Sequence, residues 1–197
     1  MNIYTNIGVM ILFAFYGSYF VKMLIQSKSG IKTDRMARGS KTIRTFTIEL
    51  ILKIITFLMA IIQFVSILFI DKLSLLIQNS LVRDIGIIIS SLGIVVFITA
   101  MATMHDSWRA GIDNTQKTKI ITVEIYKYSR NPAFVGFDLF YIGEALIFSN
   151  VFNIIFACVS ILMLHLQILE EEKSLPVVFG NEYLSYREKT CRYFGTK

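Results

Sequence analysis

The chain has 197 residues, 54% of them hydrophobic and 17% charged, with a mean hydropathy of +0.60. A soluble core cannot absorb so many large apolar side chains, so lipid must face much of the surface, and an ordinary soluble domain is excluded. The net charge of +6 reads as basic loops beside a membrane and not as a nucleic-acid face.

The first apolar run, 3–25, is long enough to span a bilayer and lacks a basic stretch before it, so it is expected to stay as a span and not to be cleaved. Residues 26–44 follow as a solvated basic connection, with Lys28, Lys32, Arg35, Arg38, Lys41 and Arg44 against Asp34. The second run is 47–70. Glu49 and Lys53 lie four apart near its start and can pair on one helix face. Gln63 is its polar residue deeper in. A short linker, 71–80, precedes the third run, 85–104. Gly86, Ser90 and Gly93 form a stripe of small residues there, which lets two helix backbones approach closely in lipid.

Residues 105–133 are polar again. A short apolar run, 134–148, a break at Ser149-Asn150 and a last run, 151–169, then read as a helical hairpin. The charged, aromatic tail 170–197 carries a short amphipathic helix that Asn181 can cap, with Tyr183 and Tyr186 on one side. The expected fold is therefore all-α, with five transmembrane helices in one membrane domain. Three spans occupy 1–104, and 105–197 holds the connection, the hairpin and the tail. Lys and Arg concentrate in 26–44, 105–133 and the tail, which places the N-terminus outside and those three segments on the cytoplasmic side.

Several catalytic arrangements are absent from the sequence, among them a Gly-rich phosphate loop, HExxH, CxxC and Gly-x-Ser-x-Gly. His105 and His165 are isolated, Cys158 and Cys191 lack metal or disulfide spacing, and no metal is expected. Arg130-Asn131-Pro132 shapes the start of the fourth span. Pro suits a first helical turn, and the N–H groups there can hold an anion or simply be capped. Glu170, Glu171 and Glu172 follow the last run directly. They are either a solvated helix end or partners for a cation. Asp138 and Glu144 either line a cavity or sit near the ends of a short span.

From Lys119 to Arg192 the chain resembles the membrane isoprenylcysteine carboxyl methyltransferases and their relatives, the phospholipid methyltransferases included. That family's motif reads His-x-Leu-Val-x-x-Gly-x-Tyr-x-x-x-Arg-His-Pro-x-Tyr-x-Gly, then Glu-Glu-x-x-Leu-x-x-x-Phe-Gly-x-x-Tyr-x-x-Tyr. Tyr126, Arg130, Pro132, Gly136, Glu171, Glu172, Leu175, Phe179, Gly180, Tyr183 and Tyr186 fall in register, and Trp108-Arg109 resembles the segment after the third span. The chain departs at Thr118 and Asn131, where the motif has His, at Glu124, where it has Gly, and at Phe134, where it has Tyr. It departs again at Gln167, where the prenylcysteine enzymes carry an Arg facing the acceptor carboxylate.

The resemblance implies an S-adenosylmethionine-dependent methyltransferase in the membrane, acting on a lipophilic small-molecule or prenylated acceptor that arrives among membrane lipids. Carried over by position, the cofactor contacts are Thr118, Lys119, Ile120, Ile121, Tyr126, Asn131, Pro132, Ala133, Phe134 and Glu171, and the reaction centre takes in Glu171, Gln167 and Arg130. A lipid amine acceptor is the alternative to a carboxylate, with a glutamate receiving its proton. A non-catalytic membrane subunit on the same scaffold, or a reductase sharing part of it, is the alternative of another class.

Overall fold

The computed structural model describes residues 3–70, 72–112 and 119–196. Among them are six α-helices, α1 Ile3–Lys28, α2 Ile43–Leu68, α3 Ser80–Met104, α4 Pro132–Ile147, α5 Val151–Phe179 and α6 Asn181–Lys189. No strand occurs among the described residues. Four helices, α1, α2, α3 and α5, are long and apolar enough to cross a bilayer, and the protein is an integral membrane protein. Helix α4 has 16 residues, or about 24 Å at the 1.5 Å rise of an α-helix. That falls short of a hydrocarbon core of about 30 Å.

Side chains next to the apolar runs set where several helices begin. Thr42 accepts from the Thr45 N–H at the start of α2, Asn79 from Leu81 at α3, and Asn150 from Asn153 at α5. Helix α4 opens on Pro132 instead and has no side-chain cap. Met10, Phe13, Phe57, Val95 and Phe152 are exposed, as lipid-facing side chains would be.

The small-residue stripe on α3 does what its spacing predicts. A Cβ on Gly86 would stand 2.7 Å from the Gly143 carbonyl, and one on Gly93 2.6 Å from the Phe140 nitrogen. Gly136 and Gly143 answer from α4, so two backbones pass with no side chain between them. Phe15 of α1 then stacks on Phe140 of α4 with centroids 3.8 Å apart, Phe137 meets Phe15 and Phe97 edge-on, and Phe97 lies tilted against Phe15.

The helices run alternately between two ends. At one, Tyr4 donates to Asp84, Arg83 Nε donates to the Ile147 carbonyl, and the Ser149 hydroxyl bonds Ile77 in both directions. At the other lie Gln26, Glu49, Trp108, Arg130 and Glu172. The expected grouping of connections is thus present, with 72–80 beside Ser149-Asn150 at one end and the basic segments at the other.

Three local expectations are corrected. Helix α5 does not stop at 169 but continues through Pro176 to Phe179, so the three glutamates lie inside it. Gly180, at φ 56°, and not Asn181, separates α5 from α6, and Asn181 is the first residue of α6. The 26–44 connection is only partly solvated, since Gln26 and Thr33 are buried and bonded to each other and Gln26 donates to the Trp108 carbonyl at 3.0 Å.

Candidate active site

The basic end is assembled around Glu49, which is fully buried on α2. Its carboxylate accepts from the Ala37 N–H at 2.7 Å and the Ile112 N–H at 2.9 Å, and it pairs with Lys41. One charge therefore ties the 29–42 connection to the segment after α3, and a buried carboxylate this well bonded holds its position. Lys53 is not its partner, contrary to the spacing. Lys53 instead meets Asp34 at 2.5 Å.

The three glutamates of α5 point three ways. Glu170 accepts from Thr45 at 2.8 Å and pairs with Lys173 and Arg44. Glu172 pairs with Arg130 at 2.6 Å and Arg192 at 2.8 Å. Glu171 accepts from Gln167 Nε2 at 3.0 Å and has no ion-pair partner among the described residues. Gln167 Nε2 also approaches Glu49 at 3.5 Å, so an amide links the buried Glu49 carboxylate to the half-buried one of Glu171.

The anion expected at the start of α4 is supplied by the chain itself. Glu172 takes Arg130 Nη2 and lies 3.4 Å from Asn131 Nδ2, while Arg130 Nη1 donates to the carbonyls of Arg187 and Thr190. Arg130 is thus committed to holding α6 and the tail on α4. Tyr186 continues this clamp, its hydroxyl donating to the Tyr126 carbonyl at 2.6 Å. Burial pushes the Tyr126 and Tyr186 phenols above their ordinary range, so both stay protonated. The Glu172 hydrogen bond raises the Arg192 guanidinium in the same sense.

Between these parts lies a cavity of about 560 Å3, within the range of small-molecule sites. Glu171, Gln167, Lys119, Tyr126, Phe134 and Trp108 are among its lining residues. Its walls carry buried polar atoms with no partner among the described residues. These are Trp108 Nε1, Arg130 Nε, Gln167 Oε1 and Tyr183 OH. Orphaned groups of this kind are costly in an empty protein interior and are matched by a polar ligand or by water. Asp138 and Glu144 are absent from this lining. His165 shares a hydrogen bond with Tyr193 of the tail.

The family model for phospholipid methyltransferase matches residues 82–182, just over half of the chain. The chain belongs to the phospholipid methyltransferase family. No curated protein matches it. The match runs from the first turn of α3 into α6 and contains Glu171, Gln167 and the Arg130-Asn131-Pro132 segment. Membership in the phospholipid methyltransferase family supports a membrane methyltransferase.

Within this family member, Lys119, Ile120, Ile121, Tyr126, Arg130, Asn131, Ala133, Phe134, Gln167 and Glu171 all line the one cavity. Pro132 does not line it and is buried at the first turn of α4. Thr118 lies outside the described residues. The motif glycine replaced by Glu124 has a structural reason, because Glu124 sits at φ 53°, a region that favours glycine. Its carboxylate accepts from Thr103 at 2.6 Å, which offsets some of the strain. Glu49 was missed as a site residue. Its only sequence signal was a carboxylate near the start of an apolar run, which has many explanations.

Proposed function

We propose that the protein is an S-adenosylmethionine-dependent methyltransferase whose acceptor is a lipid with an amine headgroup. The observation that carries this reading is the Gln167–Glu171 pair on the cavity wall, acidic and without an ion-pair partner. A carboxylate acceptor would meet like charge there, since Gln167 stands where a guanidinium would be needed. An ammonium headgroup meets a complementary one. The cavity also suits the cofactor, with Tyr126 and Phe134 as aromatic surfaces, Lys119 for a carboxylate, and unpartnered Trp108 Nε1 and Tyr183 OH as donors.

S-adenosylmethionine supplies an electrophilic methyl carried on a sulfonium. The chain's residues do the rest. Glu171 takes the proton that the headgroup ammonium must lose before its nitrogen can attack. Gln167, one helical turn away, holds Glu171 by its amide, and Phe137 and Leu164 keep the wall beside them apolar. Arg130 acts as a positioning residue through Glu172. The work is chiefly alignment and exclusion of water.

The same reading takes α4 as a fifth, short span, so that the last two spans form a hairpin in one membrane domain. It places the basic end in the cytoplasm and the N-terminus outside. Alternation of α1–α5 between two ends supports five spans, and the Lys and Arg distribution supports the orientation. The direct test of the cofactor is binding to purified protein in lipid nanodiscs. S-adenosylmethionine should raise the melting temperature and a nicotinamide dinucleotide should not. A shift with the dinucleotide alone favours a reductase on the same scaffold, and no shift with either favours a non-catalytic subunit.

A further inference from the structure

Lys53 is out of place for an ordinary lipid-facing helix. It sits on α2, within the first three turns of a membrane-spanning helix, with its side chain 43% exposed, and it lines the cavity. Of the described cations lining that cavity, it alone is carried on a long membrane helix. Arg130 is committed to Glu172, and Arg109 Nη1 donates to the carbonyls of Asp106 and Trp108. A lysine at this depth is expensive unless it serves a charged partner.

Its partner is Asp34, which also lines the cavity. Asp34 does not depend on Lys53. Its other oxygen accepts from the Met36 N–H at 3.2 Å, and Arg38 stands 3.8 Å away. Lys53 can therefore turn to another anion without stranding a carboxylate. The setting suits an anion that arrives from lipid, because Phe57, four residues on, lines the cavity and is yet 67% exposed. The cavity meets the bilayer surface at this part of α2.

The charges on the cavity wall suit a particular anion. Lys53 lies one turn from Glu49 on α2, a rise of about 6 Å. Glu49 is joined through Gln167 to Glu171. The site thus presents the Lys53 ammonium and the Glu171 carboxylate on the wall of one cavity. A phosphoethanolamine headgroup carries the opposite charges, a phosphodiester and an ammonium, separated by two carbons. Resting on the amine-acceptor reading, we infer that Lys53 anchors the phosphate of a phospholipid acceptor, and that its pairing with Asp34 is the resting arrangement which the headgroup displaces. Lys53 thereby sets specificity for a phosphate-bearing amine over a simple long-chain amine.

The test compares the intact protein in detergent micelles with two acceptors, a diacyl phosphoethanolamine lipid and a long-chain primary amine without phosphate. Lys53→Gln should raise KM for the phospholipid roughly tenfold or more, the effect of losing a charged hydrogen bond, and lower kcat far less. The ratio of phospholipid to simple amine turnover should fall by the same factor, and Lys53→Arg should recover most of it. Asp34→Asn provides a second reading, since it frees Lys53 and should lower the phospholipid KM. Equal effects of Lys53→Gln on both acceptors, or an unchanged KM for the phospholipid, overturn the assignment of Lys53. A wild-type protein that methylates neither amine overturns the acceptor reading beneath it.

Discussion

Glu170, Glu171 and Glu172 are neighbours in sequence and do three different things. Successive helix residues turn by about 100°, so one glutamate faces α2, one the cavity and one the tail. Two variants separate these roles. Glu171→Gln should weaken S-adenosylmethionine binding about tenfold or more, measured by calorimetry, with little change in melting temperature. Glu172→Gln should do the reverse. It strips Arg130, whose side chain is 6% exposed, of its buried partner, and breaking such a pair costs about 3–5 kcal/mol, read as a large fall in melting temperature. Glu124 gives a third test. Glu124→Ala loses the Thr103 bond and keeps the unfavourable φ, so Glu124→Gly should be more stable than Glu124→Ala by about 1 kcal/mol. The three carboxylates are legible in the sequence as a cluster, and the motif marks two of them. Their separate partners are not, because those come from α2, the α4 start and the tail, far away in the chain.

At the scale of elements, the α3–α4 contact is the most legible part of the fold. Gly86, Ser90 and Gly93 fall on one stripe, and close approach in lipid follows from their size. Gly93→Leu should drive α4 off α3, lower the melting temperature and remove cofactor binding, because α4 carries Phe134 into the cavity. Gly17→Leu is the matching control. A Cβ there meets nothing within 4 Å, so thermal stability and binding should be unchanged in the same assays. The end of α5 was not legible. A run of three glutamates and a proline reads as a stop, yet the helix continues to Phe179. Glu172 and Glu170 are neutralised by cations from elsewhere, and Pro176 forgoes one bond, to the Glu172 carbonyl. Both compensations depend on tertiary contacts. The Glu49–Lys53 pairing failed for the same reason, since Lys41 and Asp34 compete successfully from a connection that looked merely solvated.

For the whole molecule, the charge distribution sorts the connections into two groups and the structure brings each group together. The predicted orientation can be read by cysteine labelling after replacing Cys158 and Cys191 with serine. A membrane-impermeant reagent should reach Ser74→Cys in sealed cells, and should reach Ser40→Cys and Glu188→Cys only after permeabilisation. Labelling of Ser40→Cys in sealed cells contradicts the orientation. The central claim, methyl transfer from S-adenosylmethionine to a lipid amine, is tested most directly by following the methyl itself. Wild-type protein in nanodiscs containing phosphatidylethanolamine and a small prenylcysteine is supplied with cofactor carrying a labelled methyl, and the recovered lipid fraction is treated with base. A methyl on nitrogen survives base, whereas a methyl ester is released as methanol. The account predicts base-stable label on the phospholipid headgroup, lost in Glu171→Gln. Base-labile label on the prenylcysteine, or no label in any lipid from protein that binds the cofactor, would contradict it.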